Sequence, residues 1–398
     1  MKSIEKPRIL IFGAGSIGRS FIAPVFTSGG YEAVFADVNP VILEALADRD
    51  SYKLIEKNDS GEMVRHIRPV RGIDARDIDA IQRELEVADI CATCVGAAAL
   101  PAVLKTIARA VIDRKRPLDV ILAENLKAAG TMARTAFKDA GIRPAEIEKR
   151  LGIVETSIGK MVPIMPAETA HTDPLLCWAE PFNTLIVDRD GFRGDVPKCP
   201  DLTAVSPIEP WVARKLFIHN FGHAAAAYLG YRSHPKADYI WEVLEDCDVA
   251  DAVHSAMTNS GEALRRKYPD IFTAEDIRNH VDDLINRFQN RALGDTLYRV
   301  GRDLARKLYR RDRVVGALEL IRSQGLDTDA ALEVFKAALV FRAAGPSGGP
   351  DEKDARVSAA ASDPTAFLKD IVSLDGDSEP ELASLLMGAM AEIGTPGD

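Results

Sequence analysis

Apolar residues fall in short strand-like blocks through the first half of the chain and at helical spacing through the second. Arg8 to Phe12 (RILIF) is one such block, and a helical pattern follows from Ile17 to about Thr27. Tyr31 to Asp37 predicts a second strand, and Asn39 opens a helix to about Asp48. Ser51 to Val70 is mixed and predicts short strands or an insertion in the sheet. Asp89 to Val95 is a buried strand ending at Gly96, and Leu100 to Arg109 is helical. Leu118 to Ala123 is a strand that stops at Glu124 and Asn125; a helix over Met132 to Ala140 and a strand over Gly152 to Thr156 complete the series. Strands alternating with helices imply a parallel sheet with crossover helices.

After Val162 the pattern changes. Trp178 to Asp188 is extended, prolines concentrate between Pro163 and Pro210, and from Glu209 the spacing is almost entirely helical. Gly345 to Asp354 (GPSGGPDEKD) reads as a flexible loop, followed by helices over about Pro364 to Val372 and Glu379 to Ala391. With 398 residues the chain is too long for one ordinary core. The expected division is near residue 200, into residues 1–200 and 201–398.

The first strand runs into Gly13-Ala-Gly15-Ser16-Ile17-Gly18, and Asp37 ends the next strand about 20 residues further on. Gly13 permits the tight turn, Gly15 lets backbone approach a pyrophosphate, and Gly18 lets helix and strand pack closely. The helix start, with Ser16 and Ile17, supplies the positive field. Asp37 can accept from both adenosine ribose hydroxyls and would repel a 2′-phosphate, which favours NAD over NADP. Asn39 and the strand-end Gly96 join the expected cofactor contacts. The fold class is therefore α/β: a Rossmann-type dinucleotide-binding domain followed by a mostly α-helical substrate domain.

Net charge is −10, which argues against nucleic acid or an anionic membrane as partner. No apolar run is long enough to span a bilayer, and five scattered cysteines suit a reducing compartment. The expected location is the cytoplasm. Cys91 and Cys94 form C-x-x-C inside a strand-like run, where buried strand cysteines are the expected reading.

Glu209 to Gly230 reads as one helix that is apolar behind and polar in front. At about 100° per residue, Lys215, His219, His223 and Asn220 sit at roughly 0°, 40°, 80° and 140°. Phe217, Ile218, Phe221, Tyr228 and Leu229 fall on the other side, and Ala226 and Ala227 replace the usual surface residues. Such a face suits a pocket wall; a solvated lysine and a packing histidine remain the plain alternatives. An alcohol oxidised by a nicotinamide must lose its hydroxyl proton, and the options for removing it are a zinc ion, a Tyr–Lys pair, a His–Asp pair or a lysine. Zinc needs three protein ligands, and no Cys/His cluster in the sequence offers them, so no metal is expected. A lysine serves if burial and nearby cations lower its pKa. Asn220 and Asn125 can donate to a developing alkoxide, and His223 can orient a substrate hydroxyl.

Lys215-x4-Asn220-x2-His223 matches the K-x4-N-x2-H motif of the polyol-specific long-chain dehydrogenase/reductase family, the mannitol dehydrogenase family. GAGSIGRSFIAP, FADVNPVILEAL, CVGAAALPAVLKTIA, the LAENL run, HNFGHAAAAYLGY and FQNRALGDTLYRVGRDLARKL resemble its mannitol-1-phosphate branch, so the resemblance covers about Ile9 to Asp312. It implies zinc-independent, NAD(P)-dependent exchange between a polyol and a ketose, here mannitol 1-phosphate and fructose 6-phosphate. Lys215 would be the general acid/base, Asn125 and Asn220 the amides on the oxyanion, and His223 the orienting residue; His219 lies outside the motif. The family is often monomeric, so a monomer or weak homodimer is expected, with a sugar alcohol or sugar phosphate as its small-molecule partner.

Two stretches depart from that branch. Gly159-Lys160-Met161-Val162-Pro163 stands where D-R-x-V-P is usual, and Arg302-Asp303-Leu304 where R-D-P is usual. Enzymes acting on free mannitol, fructuronate or tagaturonate share the lysine motif, and a non-catalytic NAD-binding sensor is the alternative from another class. Arg291, Arg299, Arg302 and Lys307 form a cationic run that suits a substrate phosphate; its plain alternative is a solvated helix face paired with Asp295 and Asp303.

Overall fold

The structure is a computed structural model that describes residues 6–112, 114–124, 126, 129–163, 165, 167–346, 348–376 and 378–393. The chain divides into two units between Trp211 and Val212. In the first unit the strands are β1 (Arg8–Phe12), β2 (Glu32–Asp37), β3 (Tyr52–Asn58), β4 (Gly61–Ile67), β5 (Val70–Asp74), β6 (Ile90–Thr93), β7 (Leu118–Leu122), β8 (Leu151–Ser157), β9 (Cys177–Ala179), β10 (Leu185–Asp188) and β11 (Leu202–Val205).

Eight of them form one sheet, ordered β11-β10-β8-β7-β6-β1-β2-β5. From β5 through β8 all neighbours are parallel, and β10 runs antiparallel to β8. Chain order reverses between β1 and β6, so the crevice at the carboxyl ends of those strands is the switch point where doubly wound sheets bind ligands. Both faces of the sheet are covered, as apolar runs in parallel strands require. Ile9, Ile11 and Phe35 face one core, and Leu10, Phe12 and Val34 the other. Cys91 belongs to the second core and Cys94 packs on the first, so the C-x-x-C thiols lie on opposite faces of the sheet. Burial raises the pKa of both. Cys91 is a strand cysteine, and Cys94 follows directly after β6.

The mixed stretch after Asp50 is an insertion. β3 and β4 form an antiparallel hairpin, and β9 adds to β3 in a second, three-stranded sheet. Elements without a clear signal in the sequence include β5, the helix Ile78–Val87 that follows it, the helix Pro144–Arg150 and β11.

The second unit is helical among its described residues. Its central helix runs through Phe221–Ser233 and packs on Cys247–Lys267, Leu297–Gly301 and Asp329–Leu339. From Ala224 to Ala227 every side chain is at most 1 % exposed, so the alanines serve helix–helix approach on all sides. Ala226 and Ala227 are thus core residues. The expected loop over Gly345 to Asp354 is shorter than its composition suggests. Asp351 accepts from the Lys353 amide and caps a helix over Glu352–Ala360. Asp354 is buried in that helix and accepts the amides of Asp303 (2.8 Å) and Leu304 (2.7 Å). It thereby caps the helix Leu304–Leu308, which starts at a left-handed Asp303 (φ 71°). Among the described residues no helix is long and apolar enough to cross a membrane.

Candidate active site

In the first unit the glycine turn closes at the end of β1. Gly13 has φ +98°, and a Cβ there would lie 2.5 Å from the Cys94 carbonyl oxygen. A Cβ at Gly18 would lie 2.2 Å from the Gly13 carbonyl oxygen. A Cβ at Gly15 would meet nothing within 4 Å. Two glycines therefore serve the chain's own packing, and the middle one faces open space, as close approach by a ligand requires. Gly15 and Ser16 are exposed, Ile17 is half-buried, and helical structure continues through Gly18–Ile22 and Ala23–Ser28.

Asp37 ends β2 beside this turn. Its Oδ2 accepts the Ala14 amide at 2.6 Å and its Oδ1 the Asn39 amide at 2.8 Å. The carboxylate is so held at the rim of the switch-point crevice, where a ribose hydroxyl would find an acceptor and a 2′-phosphate an anion. Asn39 uses its side-chain oxygen on the Val41 amide (3.0 Å), capping the helix Pro40–Asp48. Gly96 takes φ +76° with open space where a Cβ would be. Glu124 ties the two neighbouring strand ends together. Its buried carboxylate accepts the Thr93 hydroxyl (2.6 Å) and the Val95 amide (3.2 Å), and burial raises its pKa. Asn125, the expected second amide, lies outside the described residues. Lys160, in one of the departing stretches, is buried and donates to the Glu180 carbonyl (2.7 Å) and to Asn183 Oδ1 (2.6 Å).

In the second unit Lys215, Asn220 and His223 do share one continuous helix, but its geometry differs from the regular spacing assumed above. Glu209–Arg214 is α-helical, Lys215–Asn220 is a π-helical turn, and α-geometry resumes at Phe221. Hydrogen bonds in such a turn span five residues. Asn220 thus lies one wide turn beyond Lys215 instead of far around the helix. Burial is the largest cause holding the Lys215 ammonium down, from 10.5 to about 8; Arg313 adds, Asp312 opposes and Arg306 adds.

His223 stacks on Phe288, with centroids 4.7 Å apart and planes 7° from parallel. Its Nε2 lies 3.1 Å from Asp295 Oδ2. The two atoms are close but form no hydrogen bond. The imidazole is held neutral, at about 3, by burial first and then by Arg299 and Lys307. His219 is buried and packs against Phe288 and His223, with a pKa well below 6.5.

The cationic run does not act as one group. Asp295, only 3 % exposed, is in ion-pair contact with Arg299, so this pair is not a solvated surface pair. Arg306, and not Arg302, pairs with Asp303. Arg302 is exposed and lies over the Tyr298 ring at 5.8 Å. Lys307 is buried and donates to the carbonyls of Val300 (2.7 Å) and Arg302, clamping the turn before its helix. Arg291 is exposed, pairs with Glu245 and covers Trp241. Phe288, Asp312 and Arg313 were not singled out in the sequence, because their places beside His223 and Lys215 depend on tertiary packing. Among the described residues no group of three or more His, Cys, Asp or Glu side chains is placed to hold a metal ion.

Comparison with known proteins bears on both units. Residues 7–200 match the family model of the mannitol dehydrogenase Rossmann domain, and residues 207–353 that of the mannitol dehydrogenase C-terminal domain. A mannitol-1-phosphate 5-dehydrogenase of Bacillus licheniformis is 33% identical over 379 residues, 92% of this chain and 96% of the relative. Among solved structures, Pseudomonas fluorescens mannitol 2-dehydrogenase in a ternary complex with NAD and D-mannitol aligns at TM-score 0.72 and 17% identity, covering 98% of this chain and 92% of that one. A substrate-free D-sorbitol dehydrogenase aligns at TM-score 0.76 and 18% identity, covering 98% and 95%. At those identities the two structures establish the fold.

The buried imidazoles make the second unit sensitive to acid. His223 and His280 have folded-state values of about 3, and His219 is also well below 6.5. Between pH 6.5 and about 3 the unfolded chain binds protons that the folded chain refuses, so stability falls as pH drops below 6.5. Each histidine costs up to about 1.4 kcal/mol per pH unit. Urea unfolding at pH 7 and pH 5.5 should show a clear drop at the lower pH, reduced in a His280→Gln variant. Equal midpoints would contradict the neutral buried imidazoles.

Proposed function

The chain belongs to the mannitol dehydrogenase family, and from that premise we propose that it is a zinc-independent, NAD-dependent polyol-phosphate dehydrogenase exchanging mannitol 1-phosphate and fructose 6-phosphate. The observation that carries the reading is Lys215, an amine held near pH 8 on a widened turn beside the motif amide Asn220. NAD fits the first unit through the open space at Gly15 and the fixed Asp37 carboxylate. When bound it accepts a hydride from the carbinol carbon.

The rest of the chemistry falls to the chain's own side chains. In polyol oxidation the hydroxyl proton passes to neutral Lys215 Nζ as the hydride leaves, and in ketose reduction the ammonium returns it to the carbonyl oxygen. Asn220, with Asn125 as its proposed partner, donates to that oxygen while negative charge develops. A neutral His223 can hydrogen-bond a neighbouring hydroxyl without adding a second positive charge. Stacking on Phe288 fixes its ring plane. Phosphate as part of the substrate is supported by the name of the 33%-identical relative. Within the cationic run Arg302 suits a phosphate best, since Lys307 already serves backbone carbonyls, Arg291 serves Glu245 and Arg299 serves Asp295.

Lys215→Ala should lower hydride transfer by about 10²–10⁴-fold while NADH binding, followed by fluorescence, stays near wild type. Full activity in that variant would remove lysine from the mechanism. Initial rates with NADH should favour fructose 6-phosphate over fructose and tagaturonate, and Arg302→Ala should raise KM for the phosphorylated ketose more than it lowers kcat. Preference for free fructose would move the proposal to the unphosphorylated branch.

A further inference from the structure

The turn that carries Lys215 interrupts the helical hydrogen-bond ladder at one carbonyl. In a regular α-helix the Phe221 amide would donate four residues back, to Phe217. Here it donates to Leu216, five residues back, and to Ile218, three back. The Phe217 carbonyl is passed over. A buried carbonyl without a donor is costly, so such groups find partners elsewhere. This one accepts from the Ser260 hydroxyl at 2.6 Å.

Ser260 is 0 % exposed, on the helix Cys247–Lys267 that packs beside the lysine helix. A serine inside a helix usually bonds back to its own chain four residues earlier. Ser260 instead reaches across to the neighbouring helix, at the one carbonyl that the widened turn releases. The surroundings leave little freedom. A Cβ at Gly222 would run into Met257, and one at Gly261 into Ile277 with Ile218 close by. Met257, Ser260, Gly261 and Leu264 form the buried stripe of that helix, at the spacing of a single face.

We propose that Ser260 is a positioning residue for the reaction: by bonding the Phe217 carbonyl it stabilises the π-turn and so fixes Lys215 relative to Asn220 and His223. The inference rests on Lys215 being the acid/base group. The competing conformation is a regular helix in which Phe221 bonds Phe217. One residue's difference in winding turns Lys215 by about 100° relative to the residues after Asn220. The Ser260 hydroxyl rewards only the widened form, because only there does Phe217 lack a partner within its own helix.

The test is Ser260→Ala in the full-length protein, assayed with NADH and fructose 6-phosphate and in reverse with mannitol 1-phosphate. The expected result is a kcat loss on the order of 100-fold, the scale of a misplaced catalytic group. KM and NADH affinity should change less than about twofold, since neither depends on where the proton acceptor sits. The pH midpoint of polyol oxidation should also move up from about 8, as a displaced lysine gains solvation. Ser260→Cys keeps the volume with a weaker donor and should give a smaller loss; it carries the test if the alanine variant does not fold. Wild-type kcat and an unmoved midpoint in Ser260→Ala, or in Ser260→Cys where alanine cannot be used, would overturn the inference. A fully active Lys215→Ala would overturn the lysine reading itself. An inactive Lys215→Ala beside an unaltered Ser260→Ala would overturn the role of Ser260 alone.

Discussion

An ammonium is poorly solvated in a helical interior, and the chemistry proposed for Lys215 depends on that cost. Lys215 is half-buried among helices, with Arg313 and Arg306 near and Asp312 as the opposing charge. Burial alone would lower an amine, and the two guanidinium groups make the charged form less favourable still. The same logic runs through the neighbourhood. His219 and His223 stay neutral for want of solvent and because cations surround them. Lys307 is also depressed, to about 7, by burial first and then by Arg313 and Arg306. Its amine is absorbed by two backbone carbonyls, so this buried amine holds a turn.

The first unit meets a different constraint. Its site is made from backbone, and the glycines decide where backbone can come close. Gly13 and Gly18 are required by the chain itself, because a side chain at either would collide with a carbonyl. A Cβ at Gly15 would meet nothing in the protein, which leaves room for the close backbone approach expected of a dinucleotide. Asp37 is held by two amides before any ligand arrives, so little ordering remains when a ribose binds.

Much of this was legible in the sequence. β1 has the predicted limits, Arg8–Phe12, because its apolar run ends at a glycine turn that cannot continue a strand. β2 ends at Asp37, the expected ribose acceptor, and β7 stops just before Glu124, whose carboxylate ties neighbouring strand ends together. Local rules of this kind also found the lysine helix. What local rules could not see was the π-turn. No propensity marks Lys215–Asn220 as widened; the extra residue is stabilised by Ser260, forty residues away in sequence and on another helix. The segment before Glu352 looked like a linker because glycine and proline dominate it, but Asp351 is a helix cap, and Asp354 is drawn inward by two amides from Asp303 and Leu304. Asp295 read as half of a surface pair until burial placed it against His223.

The central claim is that Lys215 takes the proton as hydride leaves. The most direct measurement is the single-turnover rate of NADH formation from mannitol 1-phosphate across about pH 6–10, with deuterium at the oxidised carbon confirming that hydride transfer is observed. The rate should climb about tenfold per pH unit and level off through a midpoint near 8. A rate independent of pH, or a midpoint at the ordinary lysine value of 10.5, would contradict a buried, depressed Lys215 as the base.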